Sequence, residues 1–248
     1  MDKNIEKHLV SFANDRYARS QVILESSAYE HGKVDHVTSY TWDWLIKTDF
    51  YKKNRFVLNQ FRGAGLWLWK PYIILDTFKK IKEGDIVMYC DSGMSIIENL
   101  EPLYDIAKEK GKMIFQCAGH HSNNKYIKKD CFILLGCDEL KYRNGVQMNG
   151  AISLWVKNEE NEKFLIQWMN YLRNIRISAG DDVAPNLGTF NHPTYVEHRH
   201  DQAVLSLLTI KNNFEIFRDP TQWGNEEIDK FSNSPYPQLF HHHRNFKH

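Results

Sequence analysis

The sequence has no long apolar run. Segments such as Ile86–Cys90 and 152–156 are among its longest, far below the ~20 apolar residues that cross a bilayer as a helix. The N-terminal residues 1–6 read MDKNIE, without a basic region followed by an apolar stretch. We therefore expect no transmembrane segment and no signal peptide.

An excess of one charge is also missing. The 32 lysine and arginine residues balance the 31 aspartate and glutamate residues, which gives a formal net charge of +1. A nucleic-acid-binding protein would show a clear basic excess. The composition therefore argues against a nucleic-acid partner.

Cysteine is scarce and forms no CxxC pair. Of the four cysteines, Cys90 and Cys117 lie inside apolar runs. That setting is typical of buried thiols rather than of metal ligands. Unpaired thiols and the missing signal peptide together predict a chain that stays reduced in the cytoplasm.

Familiar catalytic motifs are absent as well. The sequence contains no GxSxG, HExxH, Walker A or EF-hand pattern, so no motif supports a serine hydrolase or a nucleoside triphosphatase. Gly63 and Gly65 form a GxG, but Leu68 occupies the third glycine position and no predicted strand precedes it. The dinucleotide-binding fingerprint is therefore incomplete.

What the sequence does contain is an alternation of strand-like and helix-like segments over 248 residues. Helical periodicity follows Pro71 as a first helical residue until Gly84, and further helices are expected around 100–110, 164–175 and 204–208. The alternation predicts an α/β fold with a mostly parallel central sheet flanked by helices. We expect one domain over 1–248, with a surface loop at 178–193 that is a candidate to close over a ligand, and a tail at 231–248 that wraps the surface. Strands are predicted at 8–13, 34–40, 86–90, 112–117 and 151–156.

Polar residues follow the predicted strand at 86–90. Asp91 ends this strand, and Ser92 and Gly93 come next. Ligands of open α/β sheets bind beyond the carboxyl ends of the strands. There a carboxylate can hold a divalent cation or a sugar hydroxyl, and a glycine allows the backbone to approach a ligand. The alternative is an aspartate that only caps the next helix.

A second segment, 62–71, combines two glycines, two tryptophans and two cations. Lys70 lies at the predicted helix start, where its ammonium and the free N–H groups can converge on a phosphate. Arg62 opens the segment. The alternative is a packed aromatic turn with solvent-facing cations.

Two further polar segments lie near predicted elements. Asn149 and Gly150 lead into an apolar strand and suit a substrate-lining edge, although a plain turn is the alternative. Asp201 and Gln202 open a helix, where the dipole favours a carboxylate whatever its role. The histidine groups 120–121 and 241–243 are read as an exposed loop and as native tail sequence.

Taken in order, these segments resemble small nucleotide-sugar-dependent glycosyltransferases with the GT-A fold. The similarity runs over residues 8–208 and is carried by RGAGLWLWKP, GDIVMYCDSG, QMNGA and HRHDQAVLSLL. The family motif Asp-x-Asp binds Mn²⁺ or Mg²⁺ and the donor diphosphate. Here the motif is Asp91-Ser92-Gly93, an Asp-x-Gly variant that lacks the second carboxylate.

The resemblance implies a role for each matching position. Asp91, with Gly93 beside it, would contact the metal or the ribose and sugar of the donor. A C-terminal histidine is a metal ligand in some families of this fold, which makes His241, His242 and His243 candidates, and we take His242 as the second ligand. The remaining matches are Arg62 and Lys70 near the donor phosphates, Asn149, Gly150 and Ala151 along the donor sugar, and Asp201 with Gln202 on the acceptor side.

The resemblance also implies an activity. It predicts transfer of a hexosyl or deoxyhexosyl group from a nucleoside-diphosphate sugar to a hydroxyl of a glycan, lipid-linked or protein-linked acceptor, with Mn²⁺ or Mg²⁺. Asp201 would be the general base of an inverting reaction, or a positioning or stabilising group of a retaining one. Two alternatives stay open: a non-catalytic nucleotide-sugar- or carbohydrate-binding domain, and an α/β interaction domain without nucleotide affinity.

Overall fold

A six-stranded sheet forms the centre of the computed structural model, which describes residues 5–119 and 121–243. Two short strands form a second sheet. The strands are β1 (Lys7–Ala13), β2 (His36–Thr41), β3 (Ile86–Cys90), β4 (Met94–Ile96), β5 (Lys112–Gln116), β6 (Met148–Val156), β7 (Ile216–Phe217) and β8 (Phe240–His242). The helices are α1 (Ala18–Glu30), α2 (Trp42–Leu45), α3 (Asp49–Lys53), α4 (Arg55–Leu58), α5 (Gly63–Leu66), α6 (Trp69–Phe78), α7 (Glu101–Lys110), α8 (Asn123–Tyr126), α9 (Lys129–Leu134), α10 (Leu140–Arg143), α11 (Glu159–Leu172), α12 (Ile175–Ser178) and α13 (His200–Lys211), with 3₁₀ turns at Asp15–Tyr17 and Gln222–Lys230.

The central sheet is mostly parallel, as the sequence predicts. Its strand order is β2-β1-β3-β6-β5-β7. Five strands run in one direction, and β6 runs antiparallel between β3 and β5. The register of β3 against β6 pairs Cys90 with Ile152. It therefore brings the polar end of β3 beside the polar start of β6.

Both faces of the sheet are covered by core side chains. Along β3, Val87 and Tyr89 belong to one apolar cluster, while Ile86, Met88 and Cys90 belong to the other. Side chains of a strand alternate between the two faces of its sheet. A strand buried on both faces therefore reads as a continuous apolar run, which is why β3 was predictable.

Helix α6 differs from its predicted bounds. It begins at Trp69, so Pro71 is its third residue, and it ends at Phe78, before Gly84. A proline within the first turn lacks only an N–H that would have no partner inside the helix. Gly84 has a φ of +94° and lies in the turn that enters β3. The predicted third helix is also divided, into α11 and α12.

The C-terminal segment packs into the core as well as lying on the surface. Its strand β8 pairs antiparallel with β4, and Tyr236, Leu239 and Phe240 are buried in the second apolar cluster. Residues 244–248 of the predicted tail, like residues 1–4 of the predicted domain, lie outside the described residues. No described helix is both long and apolar enough to cross a membrane.

Candidate active site

A cleft of about 900 Å³ opens at the carboxyl ends of the parallel strands. Its walls come from segments that follow β3, β5 and β7, from the start of the antiparallel strand β6 and from the start of α13. This edge of an α/β sheet is the expected place for a ligand. Nine of the predicted site residues line it: Arg62, Lys70, Asp91, Asn149, Gly150, Ala151, Asp201, Gln202 and His242.

The tenth predicted residue, Gly93, lies just behind this lining. A Cβ atom added to Gly93 would be 3.8 Å from His242 Nε2. The Gly93 carbonyl also accepts a hydrogen bond from the backbone N–H of His243. Gly93 thus holds the C-terminal segment close to the end of β3.

A buried ion pair joins α6 to α13 in the wall of the cleft. The Lys70 Nζ atom lies 2.6 Å from Asp201 Oδ2 and donates to the Gly150 carbonyl at 2.7 Å. Both charged side chains are almost inaccessible to solvent. The alternative of a solvent-facing Lys70 is therefore wrong, because its side chain points inward to a carboxylate 131 residues away in sequence. Contact of Lys70 with a donor phosphate stays a prediction.

Asp91 lies beside this pair and remains partly open to the cleft. Its side chain is 33% exposed, and its Oδ1 atom is 3.7 Å from Lys70 Nζ. The Tyr89 hydroxyl donates to the same oxygen. A hydrogen bond of 2.8 Å from the Asp91 N–H to the Ala151 carbonyl fixes the backbone. The next element after Asp91 is strand β4 and not a helix, so Asp91 does not act as a helix cap.

Burial and the neighbouring charges shift the pKa values of this cluster. Burial raises the pKa of Asp201 to about 6, against the opposing effect of the Lys70 ammonium. Burial lowers the pKa of Lys70, but Asp201 and Asp91 outweigh it and the net shift is upward. Lys70 therefore stays charged, and a pKa of about 6 places the charge change of Asp201 below neutral pH.

The two predicted amides connect parts of the site. Asn149 donates to Asp219 Oδ2 at 2.9 Å, and its own oxygen accepts from the Ala151 N–H. Gln202 donates to the Gln147 side chain at 3.0 Å. The Asn149 amide group thus binds Asp219, a contact that the sequence pattern did not indicate.

Arg62 is held at the cleft rim by His200. Its Nε donates to His200 Nε2 at 2.8 Å, while His200 Nδ1 faces the Ser178 carbonyl at 2.8 Å. Burial lowers the pKa of His200 to about 4. The ring is therefore neutral, with the proton on Nδ1, and orients a guanidinium whose side chain is 56% exposed.

The backbone that carries Arg62 into α6 is left-handed. All five residues from Gly63 to Trp67 have positive φ, including Ala64 at 47° and Leu66 at 54°. The left-handed conformation costs each residue that has a Cβ atom roughly 1–2 kcal/mol. Such strain is typical of ligand-binding and catalytic segments. The turn places the Trp67 ring 5.2 Å from the ring of His200.

Part of the cleft was missed by the sequence analysis. The 3₁₀ turn at Gln222–Lys230 supplies Trp223, Glu226, Glu227 and Lys230 to its lining. Among the described lining residues, the carboxylates at positions 91, 197, 201, 219, 226 and 227 outnumber the cations at 62, 70, 199 and 230. The cleft is therefore acidic, a property that the balanced whole-chain charge concealed.

The loop at 178–193 does not line the cleft in the part of the chain that the structure describes. It packs instead against the start of α9, where Lys128 Nζ donates to the Ala184 carbonyl at 2.7 Å. The Asn191 side-chain oxygen accepts a hydrogen bond from the backbone N–H of Lys129, and the Asn186 side-chain oxygen accepts one from the backbone N–H of Asp130. The predicted ligand-covering loop is thus a packed part of the scaffold.

The two ligands that the sequence analysis predicted for a divalent cation, Asp91 and His242, both line the cleft. No group of three closely spaced histidine, cysteine or carboxylate ligands occurs there among the described residues. Magnesium sites commonly use one or two carboxylates and complete the shell with substrate phosphates and water. The residues therefore fit a cation that is shared with a bound diphosphate, rather than a resident ion.

Comparison with known proteins identifies the fold. No family model and no curated protein matches the sequence. The structure is similar to mouse xyloside xylosyltransferase 1 in its apo form, with a TM-score of 0.51 and 11% identity over 97% of this chain and 98% of that one. It is also similar to galactosyltransferase LgtC in complex with donor and acceptor sugar analogues, with a TM-score of 0.52 and 13% identity over 96% and 87%. The chain has the GT-A fold of glycosyltransferases, which the sequence resemblance implied.

Proposed function

We propose that the protein transfers a sugar from a nucleoside-diphosphate sugar to a hydroxyl group of a glycan, lipid-linked or protein-linked acceptor. The observation that carries the proposal is the cluster of Asp91, Lys70 and Asp201 in the cleft at the carboxyl edge of the sheet. The fold is that of glycosyltransferases. The four free cysteines support a reducing compartment such as the cytoplasm.

The donor would lie between Asp91 and the Arg62 rim. In glycosyl transfer, positive charge builds on the sugar ring and negative charge on the leaving diphosphate. Of the two cations predicted near the donor phosphates, Arg62 is the exposed one. It suits the diphosphate, because its planar guanidinium binds phosphate oxygens in pairs. Lys70 acts as a positioning residue, since its ammonium already binds Asp201 and the Gly150 carbonyl.

Asp201 is our proposed catalytic carboxylate. Its Oδ2 atom is fixed by Lys70, and its raised pKa makes it a stronger base than an ordinary aspartate. A base whose pKa lies near the working pH is the most effective at taking a proton from an acceptor hydroxyl. In a retaining reaction the same carboxylate would stabilise the developing charge on the sugar.

A divalent cation, Mn²⁺ or Mg²⁺, would be held by Asp91 and His242 together with the donor. When bound, it supplies positive charge against the diphosphate. The acidic lining supports this proposal, because carboxylates in excess of cations repel a diphosphate that arrives alone. Gly93 keeps the His242 ring near the end of β3 without a side chain between them.

The alternative is a domain of this fold that binds nucleotide sugars or glycans without catalysis. It is favoured by the missing second carboxylate after Asp91. The same cleft would then bind the donor and release it unchanged. Turnover separates the two functions, while binding alone does not.

A thermal-shift screen tests the binding step. UDP-, GDP-, dTDP- and CMP-sugars are each added with Mn²⁺ and with chelator. A ligand at 100 times its Kd adds about 2.7 kcal/mol to the stability of the fold. We expect a rise in Tm for one nucleotide that needs Mn²⁺ and is lost in Asp91→Ala. No rise with any donor contradicts both the transferase and the sugar-nucleotide-binding function.

A further inference from the structure

A second cluster of ligand atoms lies at the opposite end of the sheet from the cleft. Glu6, His8 and His36 each offer one side-chain atom, and the three atoms lie within 4.8 Å of one another. His8 and His36 are register partners at the start of β1 and β2. This is the one such group among residues 5–119 and 121–243. Strand β3 separates the cluster from the cleft: Asp85 and Asp91, which flank it, are six residue steps apart, or roughly 20 Å.

The two imidazoles converge on a single carboxylate oxygen. Glu6 Oε2 lies 3.8 Å from His8 Nε2 and 3.4 Å from His36 Nε2. Ligands that share a tetrahedral Zn²⁺ at ~2.0–2.1 Å lie about 3.3 Å apart. The two separations from Glu6 exceed this value by no more than about half an ångström. All three atoms lie within 4.8 Å of one another, so side-chain movements of at most about 1.5 Å would bring them onto one ion.

The His8 ring has a nitrogen atom at this position that a metal ion could bind. Its Nε2 atom is buried and has no hydrogen-bond partner among the described residues, and the side chain is only 10% exposed. A buried polar atom without a partner destabilises the fold. A metal ion bound to Nε2 would remove that destabilisation.

Protonation of both histidines would stabilise the cluster less than a bound metal ion. The two rings are stacked with centroids 4.8 Å apart, so two imidazolium ions would repel each other. Neutral imidazole is the form that binds metals.

The surroundings hold the ligands in place. Asp85 accepts the backbone N–H of Glu6 at 3.0 Å and that of Lys82 at 2.8 Å, and its Oδ2 lies 3.8 Å from His8 Nε2. This carboxylate faces the nitrogen that would bind the ion, so it adds negative charge beside the site and favours a bound cation. The His36 side chain is 55% exposed, which leaves an entry path and room for water as a further ligand.

We propose that Glu6, His8 and His36 form a binding site for Zn²⁺ or a similar transition-metal ion. Two imidazoles and one carboxylate are a ligand set that suits zinc. The ion would fasten the starts of β1 and β2 to each other. Its role is structural, because the site lies at the far end of β1–β3 from the cleft and is independent of the donor.

The test is a Zn²⁺ titration of the full chain in competition with a chromogenic chelator. His36→Gln is the informative variant, because His36 is exposed and its loss leaves the core intact. His192→Gln, another exposed histidine, is the matched control, and His242→Gln reports on zinc bound in the cleft. Far-UV circular dichroism verifies that all three variants fold.

We expect one tight site per chain, with affinity reduced at least about 100-fold in His36→Gln, beyond the effect of an outer-shell change. Both other variants should bind like the parent, and Co²⁺ should give the visible spectrum of a tetrahedral site in all but His36→Gln. Equal affinity in the parent and His36→Gln would overturn the proposal. So would loss of the tight site in His242→Gln, or no zinc binding by the parent chain.

Discussion

Among single residues, the buried ion pair of Lys70 and Asp201 dominates the site. Lys70→Met leaves the Asp201 carboxylate buried without its partner, so we expect the free energy of unfolding to fall by about 3–5 kcal/mol. The measurement is urea unfolding. Lys80→Met is the control, since Lys80 pairs with Asp76 while largely exposed, and should change stability little.

The double variant Lys70→Met/Asp201→Leu completes this test. It removes both charges, and replacement of a buried pair by apolar side chains is often close to neutral. We therefore expect it to recover most of the stability that Lys70→Met loses. A single variant no less stable than Lys80→Met would contradict the buried pair.

The raised pKa of Asp201 predicts the pH dependence of activity. A general base must be ionised, and Asp201 is ionised above pH ~6. Hence kcat/KM should fall as the pH drops below about 6. Asp201→Asn should lose about 10²–10⁴-fold in kcat and show no such fall. Because His200 is neutral down to about pH 4, a fall that persists in Asp201→Asn would assign the titration to a different group.

At this scale the sequence identified residues better than it identified their contacts. Strand ends and helix starts pointed to Asp91, Asp201 and Lys70, and all three line one cleft. It did not indicate that Lys70 is buried, because its partner Asp201 is 131 positions away. No local pattern reports such a pairing.

Among the elements, the left-handed turn before α6 has the most demanding backbone. Gly65 has a φ of +97°, and a Cβ atom there would lie 2.7 Å from Leu58 Cα. Gly84 has nearly the same φ, +94°, but open space around it. Gly84→Ala thus measures the conformational cost alone, about 1–2 kcal/mol. Gly65→Ala should cost clearly more in chemical unfolding, and equal losses would show that the turn is loosely packed.

Strand β8 provides a second test at this scale. Phe240 is fully buried in the second apolar cluster, so Phe240→Ala should lower the free energy of unfolding by about 3–5 kcal/mol. Phe190 is 92% exposed, and Phe190→Ala should leave stability nearly unchanged. Thermal and urea unfolding of both variants provide the comparison. Similar stabilities would restore the interpretation of 231–248 as a surface tail.

Elements with a strong apolar pattern were predictable from the sequence, and the others were not. The strand at Ile86–Cys90 was located to the residue. The left-handed turn at 63–67 depends on packing around Gly65, and the 3₁₀ turn at Gln222–Lys230 has no pattern that distinguishes it from a loop. Strand β8 has three residues and forms only because β4 pairs with it. Tertiary contacts decide such elements.

For the whole molecule, the direction of the strands determines where the chemistry occurs. Five strands end at one edge of the sheet, and the segments that follow three of them, β3, β5 and β7, contribute walls of the cleft. The order of elements alone was sufficient to predict that edge. The acidic character of the cleft was not predictable, because Asp219, Glu226 and Glu227 come from segments without a recognisable motif.

The most direct test of the account is the release of nucleoside diphosphate from the matching nucleotide sugar, with and without added acceptor. The parent chain, Asp201→Asn and Asp91→Asn are assayed at saturating Mn²⁺. We predict turnover by the parent chain, a loss of at least about 100-fold in Asp201→Asn and weakened donor binding in Asp91→Asn with an unchanged Tm. Donor binding without turnover in the parent chain, or full turnover in Asp201→Asn, would contradict the proposed transferase site.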